Sequence, residues 1–166
     1  MDRQGIDTGV RAALADLLPD LRAFARFLAG SKVEADDLVQ EALARALQTS
    51  DSIDSAAEAK PWCFAILRNV FHEQLRTRRR EEARLSREAP EGAVQASQEA
   101  SSDIRDLAQQ LQTLSPLLRE ALVLVGAQGL SYEQASRVCG VPPGTVKARV
   151  SRARQQLARA LDRVIE

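Results

Sequence analysis

The sequence predicts an all-α protein made of two small helical domains joined by a flexible linker. Apolar residues recur at three- and four-residue steps along most of the chain, which is the period of a buried helix face. Residues 89–102, APEGAVQASQEASS, are small and polar and have the composition of a linker. Near the C-terminus the chain carries the caps and the turn of a helix-turn-helix. The domains are therefore expected at residues 1–88 and 103–166, the second being a compact four-helix unit.

The composition suits a folded protein with two surfaces for a polyanion. Of 166 residues, 45% are hydrophobic and 28% are charged, which allows real cores. Lys plus Arg balance Asp plus Glu at 23 each, but residues 60–87 hold eight basic and three acidic residues, and residues 115–166 hold eight and four. Two basic blocks set apart by acidic stretches predict two separate polyanion contacts.

Neither a membrane nor an oxidising compartment is expected. No run approaches the ~20 apolar residues that cross a bilayer, and the N-terminus lacks the apolar core of a signal peptide. The protein is therefore expected in the cytoplasm, without a membrane partner. Cys63 and Cys139 suit that location as small, buried, reduced residues.

The first helical segment is predicted to end at Gly30. Its apolar stripes lie on either side of Pro19, and a proline inside a helix removes a hydrogen bond, so Pro19 is expected to kink or divide the segment. Gly30 can adopt the left-handed conformation that ends helices. Ser31 and Glu34 then have the spacing of a capping box.

The next helix, KVEADDLVQEALARALQ, has two faces. The apolar face is expected to be buried and contains Leu38, Val39, Ala42, Leu43, Ala46 and Leu47. The other face contains Asp37, Gln40, Glu41, Ala44 and Arg45. On composition alone, this is the pattern of a plain amphipathic helix with an acidic first turn.

A long helix is predicted after a polar loop at residues 49–59, because Pro61 is tolerated in a first turn. Its first half is apolar and is expected to pack, whereas its second half is charged and is expected to project into solvent. Trp62, Phe64 and Phe71 could stack on bases, but aromatic residues at helical spacing more often pack inward. His72 has no Cys or His cluster, so no metal site is expected. Four arginines could line a phosphate backbone: Arg76, Arg78, Arg79 and Arg80.

Two capped helices joined by a tight turn are predicted near the C-terminus. Ser131 and Gln134 have capping-box spacing and begin a short helix that ends at about Cys139. Gly140 can end that helix without steric strain, because glycine adopts the left-handed conformation found at helix ends. The second helix is predicted to begin near Pro143, because proline is tolerated in a first turn.

The second of these helices has an apolar stripe and a small, cationic opposite side. The stripe contains Val146, Val150, Ala153 and Leu157. The opposite side contains Ala148, Ser151, Arg152 and Gln155, with Lys147 and Arg149 on its flanks. This is the helix-turn-helix pattern, in which the second helix enters the major groove of DNA. An ordinary helical hairpin with a solvated basic face is the alternative, but caps, turn and basic face all agree on DNA binding.

Three stretches carry a family resemblance: ADDLVQEALARAL, KPWCFAILRNVF followed by LRTRRRE, and LSPLLREALVLVGAQGLSYEQASRVCGVPPGTVKARVSRARQQL. They resemble, in that order, the second conserved region, the promoter-melting segment and the fourth region of the extracytoplasmic-function (ECF) sigma factors of bacterial RNA polymerase, within the sigma-70 family. The resemblance covers nearly the whole chain. LVLVGAQGLSYEQA and ILRN with LRTRRRE are particularly similar to the general-stress-response subgroup.

The resemblance implies a transcription initiation factor with three interfaces. The β′ clamp helices of core RNA polymerase would bind Asp37, Gln40 and Glu41. The −10 promoter element would contact Trp62, Arg68, Asn69, His72, Arg76, Arg79 and Arg80. The −35 element would contact Thr145, Lys147, Arg149, Ser151 and Arg152. An anti-sigma factor is expected to hold the two domains in an inactive arrangement.

Other functions match the sequence less well. A sigma-like mimic that sequesters an anti-sigma factor would be expected to lose its DNA-facing cations. A stand-alone helix-turn-helix regulator would leave the acidic helix and the long helix without a role. An enzyme is not expected, and neither is a cofactor, because the sequence offers no nucleophile with its base, no glycine-rich phosphate loop and no metal cluster. Two residues differ from the family motif: Ala148 stands where Ser is common, and Ser151 stands where bulkier residues occur. Both differences leave the base preference open.

Overall fold

The computed structural model describes residues 3–53, 56–85 and 102–165, and within these ranges all regular structure is helical. Seven α-helices follow one another: α1 Arg3–Ala29, α2 Lys32–Gln48, α3 Ala59–Leu85, α4 Ser102–Gln112, α5 Pro116–Leu122, α6 Tyr132–Cys139 and α7 Pro143–Ile165. Two short 3-10 turns, Ser50–Ser52 and Ala56–Glu58, lie before α3, and a π-helical turn, Val123–Ala127, extends α5. The predicted all-α class is confirmed. The predicted linker lies outside the described residues except for Ser102.

Helices α1, α2 and α3 form an N-terminal unit around large apolar side chains. Phe24 of α1 and Phe64 of α3 meet edge to face, with ring centroids 5.0 Å apart, and both are fully buried. Leu38 of α2 and Leu67 of α3 belong to the same core. Because edge-to-face aromatic pairs contribute about 0.5–1.5 kcal/mol beyond burial, this pair ties α1 firmly to α3.

Of the two outcomes expected at Pro19, a kink or a division, the division is excluded, because α1 is one continuous helix. A proline removes one hydrogen bond from a helix. Here Leu14 before Pro19 and Leu21 after it are both buried, and their packing holds the two halves in one helix. Gly30 ends α1 with a φ of 77°, as predicted.

Helix α2 begins with half of the predicted capping box. Glu34 donates its backbone N–H to Ser31 Oγ at 3.3 Å, but its carboxylate pairs with Arg78 of α3 at 2.9 Å. The expectation that Leu47 is buried is wrong, since Leu47 is 44% exposed. It lies about 100° around the helix from buried Ala46, at the edge of the apolar stripe.

Helices α4 to α7 form a C-terminal unit. Ser115 caps α5 by accepting from the Leu118 N–H at 3.5 Å, and Pro116 lies in the first turn, as predicted. The apolar stripe of α7 points inward, with Val146 and Val150 buried.

The π-helical turn after α5 is not predicted by the sequence. In it the Gln128 N–H donates to the Val123 carbonyl at 2.9 Å, five residues back. Gly129 then ends the segment with a φ of 69°. Lys60 of α3 donates to the Gln128 carbonyl at 3.1 Å, so this turn also contacts the N-terminal unit.

The two units pack directly against each other, and their buried side chains form one continuous core. Helix α6 packs on α3, whereas α4 and α5 pack on α1. Arg119 of α5 is buried and donates to the Leu28 carbonyl of α1 at 2.7 Å, as well as to carbonyls of its own unit. Gln112 of α4 donates to the Phe27 carbonyl at 3.0 Å. Side chains of the C-terminal unit therefore satisfy the carbonyls at the end of α1.

Among the helices of the described ranges, none combines the length and the apolar character needed to cross a membrane.

Candidate nucleic-acid and protein interfaces

The helix-turn-helix predicted from the sequence is present at α6 and α7. Ser131 Oγ accepts from the Gln134 N–H at 3.1 Å, and the Ser131 N–H donates to Gln134 Oε1 at 2.9 Å, which completes the capping box. Gly140 ends α6 with a φ of 66°. Ser136 Oγ donates to the Val141 carbonyl across the turn. These local bonds fix the angle at which α7 leaves the turn.

Most of the outer side of α7 is open to solvent. Lys147, Ala148, Ser151 and Arg152 are exposed, and Thr145 is half-buried in the first turn. We call these five residues the recognition face. The small side chains leave room for a duplex to approach closely, and the cations can bind guanine edges or phosphates.

Arg149 differs from the recognition face. It is half-buried, and its Nη1 atom is buried without a hydrogen-bond partner among the described residues. A buried polar group left unpaired costs about 1–3 kcal/mol, and more when it is charged. In this arrangement one of the predicted DNA contacts is therefore partly withdrawn from the surface.

The arginine-rich end of α3 lies in solvent, as predicted. Arg76, Arg79 and Arg80 are exposed there, and Asn69 is exposed earlier on the same helix. Residues three and four apart share one side of a helix. The three arginines thus form a single cationic strip that can follow a phosphate backbone.

The three aromatic residues of α3 that could stack on bases are placed differently. Phe64 is fully buried, so it cannot stack on a base in this arrangement. Phe71 is 8% exposed and belongs to the core, as expected for an apolar residue at helical spacing. Trp62 is half-buried against the same core and keeps part of its ring at the surface. Of the three, only Trp62 retains surface on which a base could stack.

Arg68 and His72, one turn apart on α3, contact the C-terminal unit. Arg68 donates to Glu120 Oε1 from Nη2 at 3.1 Å and from Nε at 3.2 Å, and Nε also lies 3.2 Å from Oε2. His72 Nε2 lies 2.6 Å from Glu120 Oε2. Glu120 is wholly buried on α5. We call these three residues the Glu120 cluster.

The partners of Glu120 keep its carboxylate charged. Burial by itself raises the pKa of Glu120, but hydrogen bonds from His72 and Arg68 outweigh it and hold the pKa below the ordinary value of 4.5. The thiol of Cys139 on α6 is close by. Burial, followed by the charge of Glu120, raises the pKa of Cys139 to about 12.

The acidic side of α2 is a separate surface. Asp37, Gln40 and Glu41 are all exposed. Arg45 donates to Glu41 at 2.9 Å and to Glu73 of α3 at 2.8 Å. Hydrogen bonding to Glu73, and then to Glu41, raises the pKa of Arg45. This cation links the acidic side of α2 to α3 and orients Glu41.

Glu120 is the residue that reasoning from sequence missed. It stands in the apolar run LLREALVLV, and a carboxylate at a buried helical position normally has a charged partner. That signal was available in the sequence. Its partners could not be found in the same way, because Arg68 and His72 are 52 and 48 residues away.

A helical chain with a helix-turn-helix, an arginine-lined helix and a separate acidic face defines a DNA-binding protein that can also dock on another protein. Residues 14–81 match the family model Sigma-70 region 2, and residues 104–157 match Sigma-70, region 4. The ECF RNA polymerase sigma factor EcfG of Rhodopseudomonas palustris is 45% identical over 145 residues, which cover 87% of this chain and 80% of that protein. The chain therefore belongs to the ECF family of RNA polymerase sigma factors, which direct transcription initiation at promoters.

Two solved structures have similar folds. The sigma factor RpoE of Bartonella quintana, in complex with the anti-sigma factor NepR, is 42% identical and aligns with a TM-score of 0.81 over 92% of this chain and 96% of that chain. CnrH, in complex with the cytosolic domain of CnrY, aligns with a TM-score of 0.67 over 94% and 96% at 24% identity, which shows the fold alone. The family predicted from sequence is confirmed, whereas the individual contact residues stay predictions.

Proposed function

We propose that this sigma factor works by binding alone, through three surfaces that join core polymerase to a stress-response promoter in the cytoplasm. The observation that carries the proposal is that three chemically different surfaces lie on three different helices. The acidic residues are on α2, the cationic strip is on α3, and the recognition face is on α7. The acidic surface can therefore contact one partner while the two cationic surfaces contact another.

The acidic side of α2 is the proposed contact with the β′ clamp helices of core polymerase. Asp37, Gln40 and Glu41 are exposed together. Arg45, one turn after Glu41, pairs with Glu41 and with Glu73 of α3. Exposed charges of one sign steer association and set specificity. The face is rigid because it lies on a helix whose opposite side is core.

The other two surfaces are the proposed contacts with one promoter. The recognition face, together with Arg149, binds the −35 element as a duplex. The −10 element is held as a single strand by the cations of α3, Asn69 and the surface part of Trp62. Because a base stacked on an aromatic ring is worth roughly 1–3 kcal/mol, such binding lowers the cost of opening the strands.

An anti-sigma factor is the proposed regulator. RpoE, which is 42% identical, is seen in complex with the anti-sigma factor NepR. The two units of this chain already pack together through the Glu120 cluster and Arg119. A partner that contacts both units would stabilise this packed arrangement and keep Arg68 and His72 covered.

In vitro transcription tests the proposed function. The purified chain and core polymerase are mixed with a library of promoter fragments, and core polymerase alone is the control. The expected result is initiation at fragments that share two sequence elements at a constant spacing. If the chain produces no specific start site on any fragment, the proposal is wrong.

Charge reversal tests the polymerase contact. Asp37→Lys combined with Glu41→Lys is expected to abolish association with core polymerase, because the substitutions place cations where the contact needs anions. Asp16→Lys with Asp51→Lys is the matched control, since these residues are also exposed and lie outside α2. Full association of the first double variant, with an unchanged circular dichroism spectrum, would exclude this face as the contact.

A further inference from the structure

We propose that Glu120 occupies a site on α3 that a DNA phosphate takes when the promoter binds, so that packing of the two units and −10 binding compete for Arg68 and His72. This inference rests on the proposed role of α3 in promoter binding. It adds an occupant from within the chain, Glu120, and assigns that residue the task of holding the units together before DNA arrives.

The geometry of the cluster is that of an anion site. Arg68 supplies two nitrogens to the Glu120 carboxylate, at 3.1 and 3.2 Å to Oε1, and His72 Nε2 lies 2.6 Å from Oε2. Arginine holds carboxylates and phosphates with the same fork of N–H groups. A site that binds one of these anions in this way also suits the other.

The two occupants cannot be bound together. Glu120 is 0% exposed, and the side chains of Arg68 and His72 are only 18% and 17% exposed. Both carboxylate oxygens are already bonded to the two α3 side chains. A phosphate can reach these cations only after the C-terminal unit has moved away from α3.

A partly buried cation and a buried thiol lie near the Glu120 cluster. Arg149 Nη1 is buried without an acceptor in the described part of the chain. The charges of Glu120, Arg68 and Arg149 all act on the Cys139 thiol, and Cys139 lies on α6, the helix that packs on α3.

The thiol of Cys139 provides a measure of opening that needs no DNA. The free chain and its variants are treated with iodoacetamide, and mass spectrometry of peptides gives the alkylation rate at each cysteine. Glu120→Gln removes the charge with little change of shape. We expect it to raise the alkylation rate of Cys139 roughly tenfold, in line with the loss of a charge-assisted contact. An unchanged rate would overturn the proposal.

A second variant separates opening from a local electrostatic effect. Glu120→Gln also removes an anion that raises the pKa of Cys139, whereas Arg68→Gln removes a cation that lowers it. If only local charge mattered, the two variants would change the alkylation rate in opposite directions. The proposal expects both to increase it. Glu133→Gln, an exposed residue of α6, is the matched control and should leave the rate unchanged.

Cys63 shows whether a variant has simply unfolded. It is 2% exposed on α3, and burial alone raises its pKa to about 11. In an opened but folded chain, Cys63 should stay slow while Cys139 becomes fast. If both cysteines of Glu120→Gln react equally fast, that variant is unfolded and Arg68→Gln decides the matter by the same measurement.

Single-stranded DNA tests the competition itself. The probe is a fluorescein-labelled single-stranded oligonucleotide of mixed sequence, which does not depend on the promoter library, and binding is followed by anisotropy. Glu120→Gln is expected to bind it several-fold more tightly than the parent, and Arg68→Gln less tightly. Faster alkylation without tighter binding in Glu120→Gln would overturn the competition. Failure of the proposed function would look different, because no chain would then bind the probe while the thiol result still stood.

Discussion

The two proposed DNA-binding surfaces differ in how much of each is open in the isolated chain. On α7 the exposed residues include Lys147 and Arg152, and the bonds that orient the helix lie within α6 and the turn. On α3 the arginine strip is in solvent, but Arg68 and His72 are bonded to Glu120. The comparison shows that the proposed −35 surface is formed by local structure, whereas contact with the other unit covers part of the proposed −10 surface.

The largest effect is expected in the buried half of α3. Phe64→Ala should lower the free energy of unfolding by about 3–5 kcal/mol, because a large buried ring is replaced by a cavity. Phe64 is 0% exposed and packs edge to face on Phe24. Urea unfolding followed by circular dichroism measures the change. A loss below about 1 kcal/mol would show that this half of α3 is not core.

On α7, Arg152→Ala is expected to weaken binding of a duplex with the −35 element by about 1–3 kcal/mol if Arg152 reads a base. The residue is exposed on the recognition face and is not part of the core. Arg154→Ala, also exposed but on another side of α7, is the control. Anisotropy titration of both variants on matched and altered duplexes gives the measurement. Unchanged affinity and unchanged sequence preference for Arg152→Ala would remove it from the interface.

Acid should weaken the Glu120 cluster specifically. Because the folded pKa of Glu120 is held below 4.5, the unfolded chain takes up a proton first as the pH falls. The contribution of Glu120 is thus complete above about pH 4.5 and is lost as the pH falls from there through the lowered pKa. The groups that face the Glu120 carboxylate are Arg68 and His72 of α3 and the Cys139 thiol of α6.

Urea midpoints of the parent and Glu120→Gln, measured at several pH values, isolate this effect from that of the other carboxylates. The stability gap between the two proteins should narrow below pH 4.5. A gap that is constant over this range would show that Glu120 does not keep its charge in the folded chain.

The smallest effect on stability is expected at the exposed end of α3. Arg79→Ala should change the free energy of unfolding by less than about 0.5 kcal/mol, since surface substitutions rarely do more. Its effect should lie in DNA binding, where loss of one phosphate contact lowers the slope of affinity against salt by about 1. An unchanged slope would place Arg79 outside the DNA contact.

Features set by neighbouring residues are predictable from the sequence. The capping box of Ser131 and Gln134, the left-handed Gly140 and the buried Val146 stripe all follow from rules that act over a few residues. Membership of the ECF family follows from motifs of the same local kind. The exposed acidic side of α2 also follows from helical periodicity.

Features that depend on distant packing are not predictable in this way. The continuity of α1 through Pro19 and the capture of Arg68 and His72 by Glu120 both depend on residues that come together only in the folded chain. The carboxylate of Glu34 pairs with Arg78 of α3 instead of accepting from the backbone N–H of Ser31, as the capping box predicted. Residue spacing predicts which side chains share a face of a helix, whereas tertiary contacts determine which of those faces is exposed to solvent.

The most direct test measures the distance between the two units before and after assembly. Fluorescent dyes are attached to cysteines introduced at Asp16 of α1 and Asp162 of α7, both exposed, while the native thiols are buried. Energy transfer should be high in the free chain and should fall when core polymerase and promoter DNA are added. Equal transfer in the two states, with transcription active, would contradict the claim that Arg68 and His72 must leave Glu120 before the promoter binds.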